Sequence, residues 1–295
     1  MRPMRQGAAA AYADQGHDAV RAAFEMEWFA RLIPRLLRQA GGGELLDLGC
    51  GDGAVGGLTD GALTRYAGVD LAPPRNGHDG LAFLRHDLRD GLGPVGARPF
   101  DLYLGTFGVA SHLAPPALRA LLRDIARHAR PGAIVALEAL GLLSLEWPRL
   151  WDRPAGPPRT IAYRLAADVT VHPWAPRELA ALFEEAGIEP LGAHDRTLQA
   201  GPKTGEEGYW PGLPPVRSAL NELLAESTSE RAAAELTAPL PPLPAGEAAL
   251  VHHTLAARRR TLLRCRPPTA AAVWRLEPPT GGGFGHGLLL VGRVR

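Results

Sequence analysis

Short apolar runs alternate with amphipathic segments between residues 18 and 140. Apolar residues recur at helical spacing over residues 18–39, and Gly41, Gly42 and Gly43 then end this predicted helix. The segment Pro115–His128 predicts a second helix, because its two leading prolines suit a first helical turn. Five apolar runs predict short β-strands at Glu44–Leu48 and at residues 65–71, 81–87, 100–104 and 133–140.

The alternation is looser after residue 140. Further strands are predicted over residues 163–171, 188–193 and 286–294, and further helices over residues 176–186, 215–224 and 247–263. Strands that alternate with helices predict the α/β class, with a doubly wound parallel sheet and crossover helices on both faces.

The same pattern divides the chain into three regions. Residues 1–40 form a predicted N-terminal helical lid, and residues 41–200 together with 286–295 form the predicted core. Residues 201–285, rich in Pro, Gly and Ala, form a predicted helical and irregular insertion before the last strand. We expect this insertion to complete a ligand site on the core or to mediate oligomerisation, for instance in a homodimer.

Composition and charge narrow the class of protein. Hydrophobic residues make up 46% and charged residues 21% of the chain, as in ordinary globular proteins. The net charge of +1 gives no bulk reason to expect a nucleic-acid or membrane partner. Cys50 and Cys265 lie far apart, so neither a disulfide framework nor a structural metal site is expected. We find neither a signal peptide nor an apolar run of about 20 residues, and we expect a cytoplasmic location.

A glycine loop follows the first predicted strand, with the sequence Asp47-Leu48-Gly49-Cys50-Gly51-Asp52-Gly53. Together with Ala54, its glycines satisfy the relaxed dinucleotide fingerprint GxGxxG/A. A dinucleotide would place its pyrophosphate beside this loop, where the acids Asp47 and Asp52 are unfavourable. S-adenosylmethionine (SAM) carries an ammonium and a sulfonium group and no phosphate. The two acids therefore favour SAM as the ligand.

Two more acids end the next predicted strands. Asp70 closes the second strand, where its carboxylate can accept hydrogen bonds from both ribose hydroxyls, and Leu71 follows it in the predicted site. Asp87 closes the third strand and is placed to accept from the adenine amino group, with Leu88 packing on the ring. The carboxyl ends of such strands form one crevice in a doubly wound sheet. The alternatives are a helix cap for Asp47, a turn residue before Pro73-Pro74 for Asp70 and a solvated loop residue for Asp87.

These segments resemble the class I SAM-dependent methyltransferases. The resemblance lies in motif I at residues 45–53, in the post-I segment at 66–70, in the adenine-side motif at 86–88, in the fourth strand at 100–105 and in the loop at 130–134. It implies a mostly parallel sheet of seven strands, with the strand at 287–294 as the antiparallel seventh. It also implies that Asp47 orients the methionine end of SAM, and that S-adenosylhomocysteine (SAH) is the product. The resemblance places Gly49, Cys50, Gly51 and Gly105 in the cofactor site.

The segment after the fourth strand should face the methyl group and its acceptor, as the resemblance implies. It reads Thr106-Phe107-Gly108-Val109, which lacks the Asn/Asp-Pro-Pro-aromatic signature of methylation on nucleobases and glutamine. Small-molecule acceptors gain support from this departure. No metal is expected, because His and Asp ligands do not cluster in the sequence.

Two residues near this segment are candidates for catalysis. His112 could deprotonate an acceptor near neutral pH, or it could be a solvent-exposed histidine at a helix start. Glu138, inside the fifth strand, could face the acceptor or could pair with an arginine as a buried structural charge. The sequence leaves both alternatives open for each residue.

Three other functions are compatible with parts of the sequence. A tRNA or protein methyltransferase would hold its macromolecule with the basic helix at residues 252–266. An NAD-binding oxidoreductase would explain the glycine loop but not the acids around it. A non-catalytic SAM-binding protein would share the cofactor residues and transfer no methyl group. We favour a methyltransferase that acts on a small molecule.

Overall fold

A computed structural model of the chain describes the fold. It covers residues 20–59, 61–72, 82–144, 159–163, 169–195, 216–226, 229–237 and 286–295, and the single positions Trp147, Leu150, Ala249, Ala257, Arg260 and Arg264. Its helices are α1 (Glu27–Ala40), α2 (Pro115–His128), α3 (Pro176–Glu185), α4 (Val216–Glu226) and α5 (Glu230–Thr237). Its strands are β1 (Glu44–Leu48), β2 (Arg65–Asp70), β3 (Ala82–Arg85), β4 (Leu102–Gly105), β5 (Ile134–Leu140), β6 (Ile161–Tyr163), β7 (Val169–Val171), β8 (Ile188–Asp195) and β9 (Gly287–Val294).

Seven strands form one sheet in the order β3-β2-β1-β4-β5-β9-β8. The first five are parallel, and β9 runs antiparallel between β5 and β8. This confirms the doubly wound, mostly parallel seven-stranded sheet, including the antiparallel last strand. A separate antiparallel pair is formed by β6 and β7.

Helices cover both faces of the sheet. A π-helical turn, Arg21–Met26, leads into α1, and Gly41 ends α1 with a left-handed φ of +75°. Along β1, Leu45 packs in the core on the face covered by α1, whereas Leu46 and Leu48 pack in the core that includes α2 and α3. Because side chains alternate along a strand, Asp47 shares the α1 face with Leu45. Because both faces are packed, a ligand site is expected at the carboxyl ends of the strands.

Several predicted elements differ in detail from the structure. The segment predicted as one strand at 163–171 contains the last residue of β6 and all of β7. The residues between them, 164–168, lie outside the described residues. Within the insertion, α4 was predicted, whereas α5 was missed. Most of the predicted helix at 247–263 and most of residues 201–285 lie outside the described residues. The division into lid, core and insertion therefore stays a prediction.

Within the described residues, no helix combines the length and apolar character needed to cross a membrane.

Candidate functional site

The candidate site lies at the carboxyl edge of the parallel strands, beside β1. Strand β1 pairs with β2 on one side and with β4 on the other. The chain thus leaves β1 toward one half of the sheet and later returns to the other half. Such a reversal point opens a crevice at the carboxyl ends of the strands, where α/β proteins bind their ligands.

The glycine loop at the end of β1 leaves its backbone accessible to a ligand. The backbone N–H groups of Gly49 and Cys50 donate to the carbonyl of Val69 at 2.7 and 3.1 Å, which ties the loop to β2. Gly49 and Gly51 have left-handed φ angles of +72° and +56°, which glycine adopts at little cost. A Cβ atom on Gly51 would meet nothing within 4 Å among the described residues. A ligand can therefore approach the loop backbone there.

Among the described residues no α-helix lies between β1 and β2, although the alternation of strands and helices in the sequence predicts one after the loop. Residues Gly56–Thr59 form only a 3-10 turn. The glycines at 53, 56, 57 and 61 explain this, since each costs roughly 1 kcal/mol in a helix. A dinucleotide pyrophosphate binds at the positive N-terminal end of an α-helix, which this short turn does not provide. The NAD interpretation thus lacks its main binding element.

Asp47 is completely buried at the end of β1. Its Oδ2 accepts a hydrogen bond from the Tyr66 hydroxyl at 2.8 Å, whereas its Oδ1 has no hydrogen-bond partner among the described residues. The pKa of Asp47 is raised to about 7, because burial and, to a smaller extent, the charges of Asp70 and Asp52 raise it more than the hydrogen bond from Tyr66 lowers it. Among the described residues Asp47 accepts no loop N–H group, so it does not cap the following turn.

Asp70 joins the end of β2 to the glycine loop. Its Oδ2 accepts from the N–H of Gly51 at 2.8 Å, and its Oδ1 accepts from the N–H of Leu71 at 2.6 Å. The carboxylate therefore lies at the crevice edge predicted for it. Oδ1 also accepts from the N–H of Ala72 at 3.4 Å, whereas Oδ2 has a second lone pair, through which Asp70 can still accept from a ligand.

Asp87 has a local structural role in the structure. Its Oδ1 accepts from the N–H of Arg89 at 3.0 Å, which caps the 3-10 turn Leu88–Asp90, and its Oδ2 pairs with the Arg89 guanidinium at 2.8 Å. Leu88 is 7% exposed and packs in the core that includes α2. The contacts of Asp87 and Leu88 with adenine stay predictions.

Glycines in and next to the loop leave space for the side chains of Val109 and Cys50. A Cβ on Gly49 would lie 2.7 Å from Cγ2 of Val109, and a Cβ on Gly105 would also collide with Val109. A Cβ on Gly68 would lie 2.7 Å from Sγ of Cys50. Cys50 is itself buried, and burial raises the pKa of its thiol. Cys50 therefore fills space under the loop and is not poised as a nucleophile.

The segment after β4 has a strained backbone at Phe107. Phe107 has a φ of +54°, a left-handed angle that is uncommon for residues other than glycine. Its N–H donates to Oε2 of Glu138 at 3.1 Å, and Glu138 is only 1% exposed. The Arg21 guanidinium lies 4.1 Å from the centroid of the Phe107 ring, and the Phe29 ring centroid lies 5.4 Å away. Contacts from β5, the π-helical turn and α1 thus hold this segment.

His112 lies in the 3-10 turn Val109–His112 that follows this segment. The neighbouring Ser111 is fully buried; its hydroxyl accepts from the N–H of Leu140 and its carbonyl from the N–H of His172, each at 2.8 Å. Burial lowers the pKa of His112 to about 4. The histidine is therefore neutral at physiological pH and half-buried, not solvent-exposed.

The structure brings most predicted site residues to one edge of the sheet. Asp47, Gly49, Cys50, Gly51 and Asp70 are linked by the hydrogen bonds and contacts given above. Glu138 and His112 flank the segment after β4. Among the described residues, no group of three or more His, Cys, Asp or Glu side chains could hold a metal ion.

Sequence reasoning missed the residues that support these groups. The sequence indicates Tyr66 only as part of the post-I resemblance and Phe107 only as part of the segment after the fourth strand, and it gives no role to Arg21. The parallel pairing of Leu45 with Tyr66 gives Tyr66 its place beside Asp47, and that register cannot be derived from the sequence pattern. The available signal was a tyrosine two residues before a glycine within the second predicted strand.

The profile of a methyltransferase domain family matches residues 21–191. This match spans more than half of the chain, and the chain belongs to this methyltransferase family. With its seven-stranded sheet, the protein is a class I SAM-dependent methyltransferase, an enzyme whose cofactor is SAM. The family assignment also removes the oxidoreductase and the non-catalytic alternatives.

Comparison with solved structures finds further methyltransferases. The 1,6-didemethyltoxoflavin-N1-methyltransferase of Burkholderia thailandensis is 20% identical, over 66% of this chain and 84% of that chain, with a TM-score of 0.46. An amino pentose methyltransferase from Micromonospora echinaspora is 18% identical, over 62% and 89%, with a TM-score of 0.45. The complex of the Haloferax volcanii Trm112 methyltransferase activator with a methyltransferase matches at 16% identity, over 97% of each chain, with a TM-score of 0.48. No curated protein matches the sequence.

The residues of the crevice fit SAM. A buried carboxylate oxygen of Asp47 lacks a hydrogen-bond partner among the described residues and can accept from an ammonium group. The positive-φ glycines leave the loop backbone open beside it. Oδ2 of Asp70 retains a lone pair for a hydroxyl donor. Both the charge and the shape of the crevice therefore match the cationic cofactor.

Proposed function

We propose that this enzyme transfers the methyl group of SAM to a small-molecule acceptor bound beside β4 and β5. The observation that carries the proposal is the enclosure of the segment after β4. The backbone N–H of Phe107 donates to the buried Glu138, and the Phe107 ring contacts Arg21 and Phe29. A crevice bounded in this way suits a ligand that is itself buried, whereas a macromolecule needs an open surface.

Within this proposal, the cofactor is held by the residues at the ends of β1, β2 and β3. Asp47 binds the methionine ammonium through Oδ1, and Asp70 accepts from the ribose hydroxyls. The backbone at Gly49 and Gly51 lies against the cofactor. The other members of the predicted cofactor site are Cys50, Leu71, Asp87, Leu88 and Gly105.

The bound cofactor supplies a methyl group that is already activated by its sulfonium. The protein must then align the acceptor and exclude water, which is worth up to about 7–11 kcal/mol. Glu138 serves this alignment by holding the backbone of Phe107. The neutral ring of His112 can accept a hydrogen bond from the acceptor. General-base help adds about 10²–10⁴-fold where the acceptor carries a proton, and the pKa of about 4 that burial gives His112 makes it a weak base for this step.

The N-terminal π-helical turn and the insertion contact each other next to the segment after β4. The N–H of Val20 donates to Oδ1 of Asn221 in α4 at 2.9 Å. The next residue, Arg21, lies over the ring of Phe107. The insertion thus contacts the turn that covers the segment after β4, which supports a role for both regions in binding the acceptor.

Binding of SAH tests the cofactor part of the proposal. Asp47→Ala and Asp70→Ala should each weaken SAH binding at least about tenfold in calorimetry, since each removes a charged hydrogen-bond partner. Glu185→Gln is a matched control, because Glu185 is an exposed carboxylate at the end of α3 that pairs with Arg119. Wild-type affinity in both aspartate variants would overturn the proposed cofactor residues.

Turnover tests the acceptor class. The purified enzyme should release SAH from SAM with members of a panel of phenols, amines and amino sugars, and should release none with bulk tRNA or with denatured protein. Turnover on tRNA or protein alone, with binding that weakens steeply as salt is raised, would refute the small-molecule proposal.

A further inference from the structure

One oxygen of the Asp47 carboxylate has a hydrogen-bond partner among the described residues, and the other has none. Its Oδ2 accepts from the Tyr66 hydroxyl at 2.8 Å, and its Oδ1 has no hydrogen-bond partner among the described residues. A buried polar atom without a partner is costly, so such atoms are usually satisfied by a ligand or by water. The hydrogen bond from Tyr66 therefore determines which oxygen is left for a ligand.

The pairing of β1 with β2 explains why Tyr66 reaches this carboxylate. Tyr66 pairs with Leu45, and Gly68 pairs with Asp47. Because Gly68 has no side chain, the long ring of Tyr66 can extend two residues along β2 to its partner. A Cβ on Gly68 would lie 3.1 Å from the Tyr66 hydroxyl and 2.7 Å from Sγ of Cys50. The glycine thus keeps space for the hydroxyl that contacts Asp47.

We propose that Tyr66 is a positioning residue for the cofactor: its hydroxyl fixes Oδ2 of Asp47 and leaves Oδ1 to bind the methionine ammonium of SAM. The inference rests on the proposed role of Asp47. Tyr66 contacts neither the reacting methyl group nor the acceptor in this scheme. It acts through Asp47 alone.

The groups that face Asp47 give this arrangement a pH dependence. Burial raises the pKa of Asp47 to about 7; Tyr66 opposes this by donating to the carboxylate, and Asp70 and Asp52 add repulsion. Burial and the charge of Asp47 raise the pKa of the Tyr66 hydroxyl, and burial raises that of the Cys50 thiol. Tyr66 therefore remains a donor throughout the physiological range.

The direction of the effect on binding follows from these shifts. Below pH 7 much of Asp47 is protonated in the free protein, and an ammonium group binds only its ionised form. Affinity for SAH should therefore rise as the pH rises through about 7. Tyr66→Phe removes the hydrogen bond that favours the ionised form, so the rise should move to higher pH. At pH 7 the variant should bind SAH about tenfold more weakly.

A double-mutant cycle measured by calorimetry from pH 6 to pH 9 tests the inference. The four proteins are the wild type, Tyr66→Phe, Asp47→Asn and the double variant. Tyr66→Phe should weaken SAH binding in the wild-type background and change it less than about twofold in the Asp47→Asn background. Tyr103→Phe is the matched control: it removes a buried tyrosine hydroxyl that contacts Nδ1 of His128 at 2.6 Å, and it should leave SAH binding unchanged.

The outcomes separate this inference from the proposed function. If Asp47→Asn binds SAH like the wild type, the role of Asp47 is wrong. If Asp47→Asn weakens binding while Tyr66→Phe keeps the wild-type affinity and pH profile, only the role of Tyr66 is wrong. Infrared difference spectra of the unmodified protein give a second readout that needs no folded variant. SAH binding at pH 6.5 should remove the band of a protonated carboxyl, and an unchanged band would contradict the role of Asp47 on which the inference rests.

Discussion

Replacing Glu138 separates a positioning role from a role as a base. Glu138→Gln keeps an oxygen that can accept from the N–H of Phe107, and it removes the ability to take up a proton. Glu138→Leu has a similar volume and removes the acceptor altogether. The two variants therefore differ in the hydrogen bond that holds the segment after β4.

The structure indicates the size of the effect. Glu138 is 1% exposed and its Oε2 lies 3.1 Å from the nitrogen of Phe107, so leucine would leave a buried N–H without this partner. Such a loss costs about 1–3 kcal/mol. The left-handed φ of Phe107 adds strain of about 1–2 kcal/mol that the hydrogen bond helps to offset. We expect Glu138→Leu to lose about 2 kcal/mol of unfolding free energy, and Glu138→Gln to lose less than about 1 kcal/mol.

Urea unfolding followed by circular dichroism measures these losses, with hydrogen exchange of the Phe107 amide as a local probe. Exchange should quicken in Glu138→Leu and stay slow in Glu138→Gln. Equal losses in the two variants would refute the reasoning, because the acceptor oxygen would then be irrelevant. On an acceptor found by the turnover screen, a positioning role predicts that Glu138→Gln retains methyl transfer. An inactive Glu138→Gln that folds and binds SAH normally would instead identify Glu138 as a base.

Two further predictions address neighbouring residues. Phe107→Gly should be more stable than Phe107→Ala by about 1 kcal/mol in the same urea assay, because only glycine adopts the φ of +54° without strain; an equally stable alanine variant would contradict this. Burial lowers the pKa of His112 to about 4, below its ordinary value of 6.5, so the stability that it contributes is present above pH 6.5 and is lost as the pH falls toward 4. Unfolding midpoints measured from pH 7 to pH 4 should therefore fall less steeply in His112→Gln than in the wild type, and parallel curves would refute the burial of the neutral ring.

The sheet could be predicted from the sequence because its signals are local. Helix α2 was predicted at its observed bounds, since two prolines mark its start and an Arg-Pro-Gly segment follows its end. Strands β1, β2 and β5 were predicted to within a residue or two, because continuous apolar runs are typical of parallel strands that are buried on both faces. Asp47 and Asp70 were found because acids at strand ends stand out against those runs.

The remaining features depend on contacts between distant parts of the chain. The hydrogen bond between Tyr66 and Asp47 requires the register of β1 and β2, which no local pattern specifies. The left-handed φ of Phe107 is stabilised by Glu138, which lies 31 residues further along the chain. Asp87 fits both an adenine contact and a cap in the sequence, and only the position of Arg89 shows the capping contact.

The acids of the crevice connect cofactor selectivity with the stability of the free protein. Repulsion from Asp70 and Asp52, added to burial, makes the ionised form of Asp47 unfavourable before a ligand binds. A cation relieves that repulsion, whereas a pyrophosphate would increase it and would find only a short 3-10 turn beside the loop. The glycines admit either ligand, because they supply space and no charge. In the binding mode that we propose, selection for SAM arises from an electrostatic cost that the free protein bears at Asp47, and Tyr66 limits that cost by donating to the carboxylate.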